Sequence, residues 1–130
     1  MLAGFAGTDN VYGVGLLLDF GVDVHAVFHE GDEYWGIGKN STALHVAAWR
    51  ASHRTVKLLI ERGADVNAVD GKGRTPLQLA VRACVDSYWT GLRSPDSVAA
   101  LLAAGASPTG TLYPCGYAAV DELLARAITR

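Results

Sequence analysis

Residues 42–48 read TALHVAA, and after a short gap residues 56–68 read VKLLIERGADVNA. Val56, Leu59 and Ile60 are spaced three and four apart, which places them on one face of a helix. Gly63 follows that face directly, where the left-handed residue of a helix C-cap belongs. Thr42 opens a second, shorter helical pattern that Ala47 and Ala48 keep thin. Beyond Gly63, the run Ala64 to Gly73 holds Asn67, Asp70, Gly71 and Gly73, a composition that favours a turn or hairpin over further helix. The unit is therefore helix, tight turn, helix, extended turn.

Working outward, the unit recurs. Thr42, Leu44 and Ala47 reappear thirty-three positions later as Thr75, Leu77 and Ala80. Val56, Leu59, Ile60, Gly63 and Ala64 reappear forty-two positions later as Val98, Leu101, Leu102, Gly105 and Ala106. The nine-residue difference requires an insertion between Ala80 and Val98. In the other direction, Val14, Leu17, Leu18, Gly21, Asp23, Val24 and Ala26 stand forty-two positions before their counterparts, and here the enlarged piece is the loop Val27 to Ser41. Val120, Leu123 and Leu124 form an incomplete fourth copy with an outer helix only. Thr75 before Pro76 is an N-cap followed by proline at the first helical position, and Ser94 with Pro95 repeats the signal. Small residues at Ala47, Ala48, Ala80 and Ala83 let neighbouring units approach and stack as a slab.

On these residues the chain resembles the ankyrin repeat family, with 42–68 matching almost position by position and 75–80 with 98–108 giving a second, interrupted copy. The resemblance implies an all-α solenoid of two full and two partial repeats in one domain spanning 1–130. The expected division is a partial repeat at 1–26, an enlarged turn at 27–41, and repeats at 42–74 and 75–108. An insertion falls at about 84–93, and a terminal half-repeat or capping helix at 111–130. The resemblance implies that His45 ties the turn of its own repeat to the next, and that the domain is a non-catalytic protein-interaction module. Departures are Ala43 for the usual proline, Ala51 and Cys84 for the usual glycine between helices, and Gln78 for the usual histidine.

Composition narrows the function classes. The 130 residues suit a single domain, and 50% apolar content is enough to bury a core. A formal charge of −2 argues against a nucleic-acid partner, whose phosphates require a basic excess. No apolar run approaches the length of a membrane span, and Met1 to Gly7 has no secretion signal, so the cytoplasm is the expected compartment. Cys84 and Cys115 lack any paired spacing and read as reduced thiols.

No cofactor is expected. His25 and His29, with Glu30, Asp32 and Glu33, outline a metal cluster or a hydrolytic site as a rival reading. Against it, His25 takes the place of Asn67 in the repeat frame, and Gly31 denies the pair a helix face to share. Asp121 and Glu122 are adjacent on a helix and point apart, so their expected role is to favour its N-terminal end.

Repeat solenoids bind along the concave surface of turn tips and inner helices. By repeat position, Trp49, Arg50 and Arg82 face outward from the inner helices, and Lys72 and Arg74 occupy the turn between them. An exposed tryptophan beside arginines has the composition of an interface hot spot. The competing role for Trp49 is packing beneath the preceding loop. That loop carries Phe28, Glu30, Tyr34 and Trp35, too apolar a set for a linker, and its acids are expected to face Arg50 and Arg82 while its aromatics form a wall or lid. Tyr88 and Trp89 are expected to cover the extended helix pair. The partner is thus a protein. The alternatives are a structural spacer, a C-terminal piece of a longer solenoid, or a subunit docked through an N-terminal face bearing Leu2 and Phe5.

Overall fold

A computed structural model of the chain describes residue 6 and residues 8–29, 38–86 and 94–128. Among these residues six helices run in order: α1 (Val11–Asp19), α2 (Ala43–Trp49), α3 (His53–Glu61), α4 (Pro76–Asp86), α5 (Asp96–Ala103) and α6 (Ala118–Ile128). Two short strands, β1 (Val27–Phe28) and β2 (Ser41–Thr42), pair antiparallel with Val27 opposite Thr42 and Phe28 opposite Ser41. The helices pack in two rows. The inner row is α2 on α4, the outer row is α1, α3, α5 and α6 in succession, and α2 with α3 and α4 with α5 form the sequential pairs.

The outer helices α1, α3 and α5 stop in the same way. After α3, the Gly63 N–H donates to the Ile60 carbonyl at 3.1 Å and the Ala64 N–H to that of Leu59 at 3.0 Å, with Gly63 at φ 89°. The same double closure forms after α1 and α5, with Gly21 and Gly105 at φ 94° and 95°. These pairs satisfy carbonyls that the helix end would otherwise leave open. After α2 the left-handed position falls on Ala51, at φ 57°, and the closure still forms, with Ser52 donating to Ala47. The fold imposes there a conformation that alanine disfavours.

The core follows the repeat. Val14, Val56, Val98 and Val120, one from each outer helix, are fully buried, as are Leu59, Leu101 and Leu124. From the inner row Leu44, Ala47, Leu77, Ala80 and Val81 complete a continuous apolar layer. Side-chain bridges knit successive repeats at its edge. Asp9 Oδ1 accepts from Thr55 N at 2.9 Å and from Thr55 Oγ1 at 2.8 Å, and Ser97 Oγ lies 2.6 Å from His53 Nδ1.

The run Ala64 to Gly73 forms turns, as its composition favours, and a strand pair closes the base of the enlarged loop. Two local expectations change. Cys84 does not lie between helices, because α4 continues through it to Asp86 and buries it. Pro95 is the N-cap of α5, with helix beginning at Asp96, and Ser94 Oγ accepts from Asp96 N at 3.2 Å.

Candidate functional site

The turns are held by a hydrogen-bond device at the start of each inner helix. In α2, Thr42 Oγ1 accepts from the His45 N–H at 3.3 Å, and the Thr42 N–H donates to His45 Nδ1 at 3.1 Å. Nδ1 is therefore an acceptor, which assigns the proton to Nε2, where it donates to the Arg74 carbonyl at 2.9 Å. His45 thus ties its own helix start to the following turn. Burial, the dominant influence, lowers its pKa below the ordinary 6.5. Gln78 performs the same task one repeat later: Oε1 accepts from Thr75 N at 3.1 Å, and Nε2 donates to the Thr109 carbonyl at 3.2 Å. The amide reproduces both ends of the imidazole, so this departure from the family pattern costs the turn nothing in connectivity.

The turn between α3 and α4 is organised around Asp70, whose side chain is fully buried. Its carboxylate accepts from the N–H groups of Lys72 and Arg74 and from Arg74 Nε, each at 2.9 Å. Burial pushes the Asp70 carboxyl up, but these hydrogen bonds and the guanidinium charge together hold it below the usual carboxylate value. Gly38 packs directly on the pair: a Cβ there would lie 2.5 Å from Arg74 Nη2 and 2.9 Å from Asp70 Oδ2. Lys39 lies against the same turn, its carbonyl accepting from Gly71 N at 2.6 Å. Lys39 and Lys72 are both exposed at this tip.

Beside the turn lies an open cleft of about 470 Å³. Trp49 enters it from α2, Gln78, Leu79, Arg82 and Asp86 from α4, Arg74 from the turn, and Gly110 and Leu112 from the loop before α6. Trp49 is half-buried, one side packed on the core. Arg82 is exposed and reaches Asp86 one helical turn on, with Nε to Oδ2 at 3.2 Å. An exposed pair of this kind contributes little to stability.

The structure thus brings Trp49, Arg74 and Arg82 to one cleft, while Lys72, exposed in the same turn as Arg74, is not among the lining residues. Arg50 is exposed at the C-cap of α2 and is not among the lining residues. Phe28 is half-buried in β1. Glu30, Tyr34 and Trp35 lie outside the described residues, as do Asp32, Glu33, Tyr88, Trp89, Leu2 and Phe5. Reasoning from sequence missed Gln78, Asp86 and Leu112 as cleft residues. Repeat position relates Gln78 to His45, but nothing in the sequence draws the loop residue Leu112 to α4. His25 is exposed, and His29 Nδ1 lies 3.3 Å from Asn40 Oδ1. Among the described residues no group of His, Cys, Asp and Glu gathers at metal-binding distance, and no helix is long and apolar enough to cross a membrane.

Paired helices, left-handed caps and a cleft beside the turns define a helical-repeat solenoid. The sequence model of ankyrin repeats, in three copies, matches residues 1–111, and the chain belongs to the ankyrin repeat family. It is 40% identical over 78 residues to human ankyrin repeat domain-containing protein 63, a match covering 59% of this chain and 20% of that protein. It is 61% identical over 41 residues to human B-cell lymphoma 3 protein, covering 31% of this chain and 9% of the relative. To the ARF GTPase-activating protein Git of Drosophila melanogaster it is 49% identical over 47 residues, covering 36% of this chain and 6% of the relative. The chain therefore spans only a small part of these relatives. Domains of this family are generally protein-interaction modules and usually non-catalytic.

Proposed function

We propose that the chain binds a protein partner through the cleft of turn tips and inner helices, with Trp49 and Arg82 as anchors and Arg50, Lys72 and Arg74 around them. The observation that carries this reading is the convergence of Trp49, Arg74 and Arg82 on one open cleft. A half-buried tryptophan seated on the core loses little freedom when covered, and an exposed arginine beside it offers directional donors, the combination on which interfaces concentrate their energy. In a comparative pull-down, the Trp49→Ala, Arg82→Ala double variant retains the partner about thirtyfold less well than wild type, a loss of about 2 kcal/mol. Lys57→Ala, exposed on α3 in the outer row, retains it fully. Equal retention by the double variant would favour a structural spacer.

A second reading concerns the N-terminal face and has its own observation. In α3 and its C-cap, Arg54, Leu58 and Arg62 all face the preceding repeat, reaching Asp9, the surface beside Gly15, and Asp19. Their counterparts forty-two positions earlier are Tyr12, Leu16 and Phe20, exposed at 79%, 40% and 85%. This apolar stripe supports docking of further repeats or of another subunit against α1.

A further inference from the structure

The cleft has a chemical polarity that goes beyond its shape. Its floor is apolar, from Trp49, Leu79 and Leu112, and the charged groups around it are mostly donors. Arg82 and Asp86 answer one another, and so do Arg74 and Asp70. The turn tip then adds Lys39 and Lys72, exposed cations with no ion-pair partner among the described residues. Their backbones adjoin, since Gly71, which precedes Lys72, donates its N–H to the Lys39 carbonyl. No described carboxylate at the cleft is left without a cation. An occupant must therefore supply negative charge at the tip and an apolar group over the floor.

Resting on the interaction reading above, we propose that the cleft accepts an acidic segment of a protein partner. An apolar side chain of that segment sits against Trp49 and Leu112, and its carboxylates meet Lys39 and Lys72. A peptide fits these features better than a nucleic acid does. The apolar floor suits an aliphatic side chain, and two exposed lysines fall short of the basic tract that a continuous phosphate backbone requires.

The test is selection of a phage-displayed random peptide library on the intact chain, counter-selected on the Trp49→Ala, Arg82→Ala variant. A single-stranded RNA oligonucleotide serves as competitor. The expected result is enrichment of net-acidic peptides carrying an apolar residue. Their binding weakens on the order of tenfold in Lys39→Glu, Lys72→Glu, is unchanged in Lys57→Glu, and resists the oligonucleotide. Circular dichroism establishes that each variant is folded. Enrichment of neutral or basic peptides, indifference to the lysine reversal, or displacement by the oligonucleotide overturns the acidic assignment while leaving a cleft binder intact. Failure of wild type to enrich any peptide over the cleft variant overturns both.

Discussion

At the scale of single residues, His45 gives the stability of the fold a pH dependence. The folded protein holds the imidazole neutral, with Nδ1 accepting from Thr42 and Nε2 donating to Arg74. Its folded pKa lies below the ordinary 6.5, so between the two values the unfolded chain binds a proton that the folded chain refuses. The stabilisation is complete above that ordinary value and declines as pH falls toward the folded pKa, with a slope that one proton limits to at most about 1.4 kcal/mol per pH unit. His45→Gln, which copies the arrangement of Gln78, is expected to keep most of the neutral-pH stability and to flatten this part of the profile. Urea midpoints of both proteins at pH 7 and pH 5 check it. Asp70 acts in a lower window: its stabilisation is present above 3.8 and is lost as pH falls through the still lower folded pKa. Ala51 offers the opposite kind of test. It sits at φ 57° where the outer-helix ends carry glycine, so Ala51→Gly is expected to raise stability by about 0.5–1 kcal/mol, read as an upward shift in Tm.

At the scale of elements, the helices are too short to stand alone and depend on the bridges between neighbours. Asp9 is the clearest of these. One carboxylate oxygen holds both the backbone and the hydroxyl of Thr55, while the other meets Arg54 Nε at 3.3 Å. Thr55 is fully buried near the start of α3, so removing the carboxylate strands a donor. Asp9→Ala is expected to cost about 2 kcal/mol in equilibrium unfolding. Arg54→Ala is expected to cost less than half as much, because its side chain is largely exposed and the ion pair is screened. The final helix uses a related device. Asp121 receives Cys115 N at 2.8 Å and Gly116 N at 3.2 Å, so the acid expected to favour the helix start also fastens the loop that leads into it. The Cys115 and Gly116 N–H groups hold its carboxyl below the usual carboxylate value, with the Cys115 backbone the largest influence. Glu122 and Arg126 pair on the polar face of α6.

At the scale of the molecule, the two ends of the outer row differ. α6 presents the Glu122–Arg126 pair, whereas α1 presents Tyr12, Leu16 and Phe20. Exposed aromatics along one helix face carry a cost in water that another surface relieves. If that face docks a second subunit, light scattering on the chain gives a mass above the monomer's 13.7 kDa, and Tyr12→Ser, Phe20→Ser returns it to the monomer. A strictly monomeric wild type with an unchanged Tm in the double variant would count against docking of a subunit on α1. This face and the cleft are separate surfaces, because one belongs to the outer row and the other to the inner row and its turns.

The stack itself was legible in the sequence. Repetition places Val14, Val56 and Val98 at equal intervals and a glycine after each of α1, α3 and α5, and short-range geometry alone makes those positions buried and left-handed. The role of His45 followed from the family resemblance, which implies a tie from its own turn to the next, and the Nε2 bond to the Arg74 carbonyl is that tie. Three-dimensional packing decided the rest. It drove α4 onward through Cys84, since a buried helix face there is worth more than a turn the sequence does not encode with glycine. It forced Ala51 into a left-handed conformation, because two packed helices fix the direction of the chain between them. It also laid Leu112 beside Trp49 and Arg82, partners separated by long stretches of chain and set by no local periodicity. Local periodicity specifies which residues turn inward; which distant side chains then share a cleft depends on how the finished layers settle against one another.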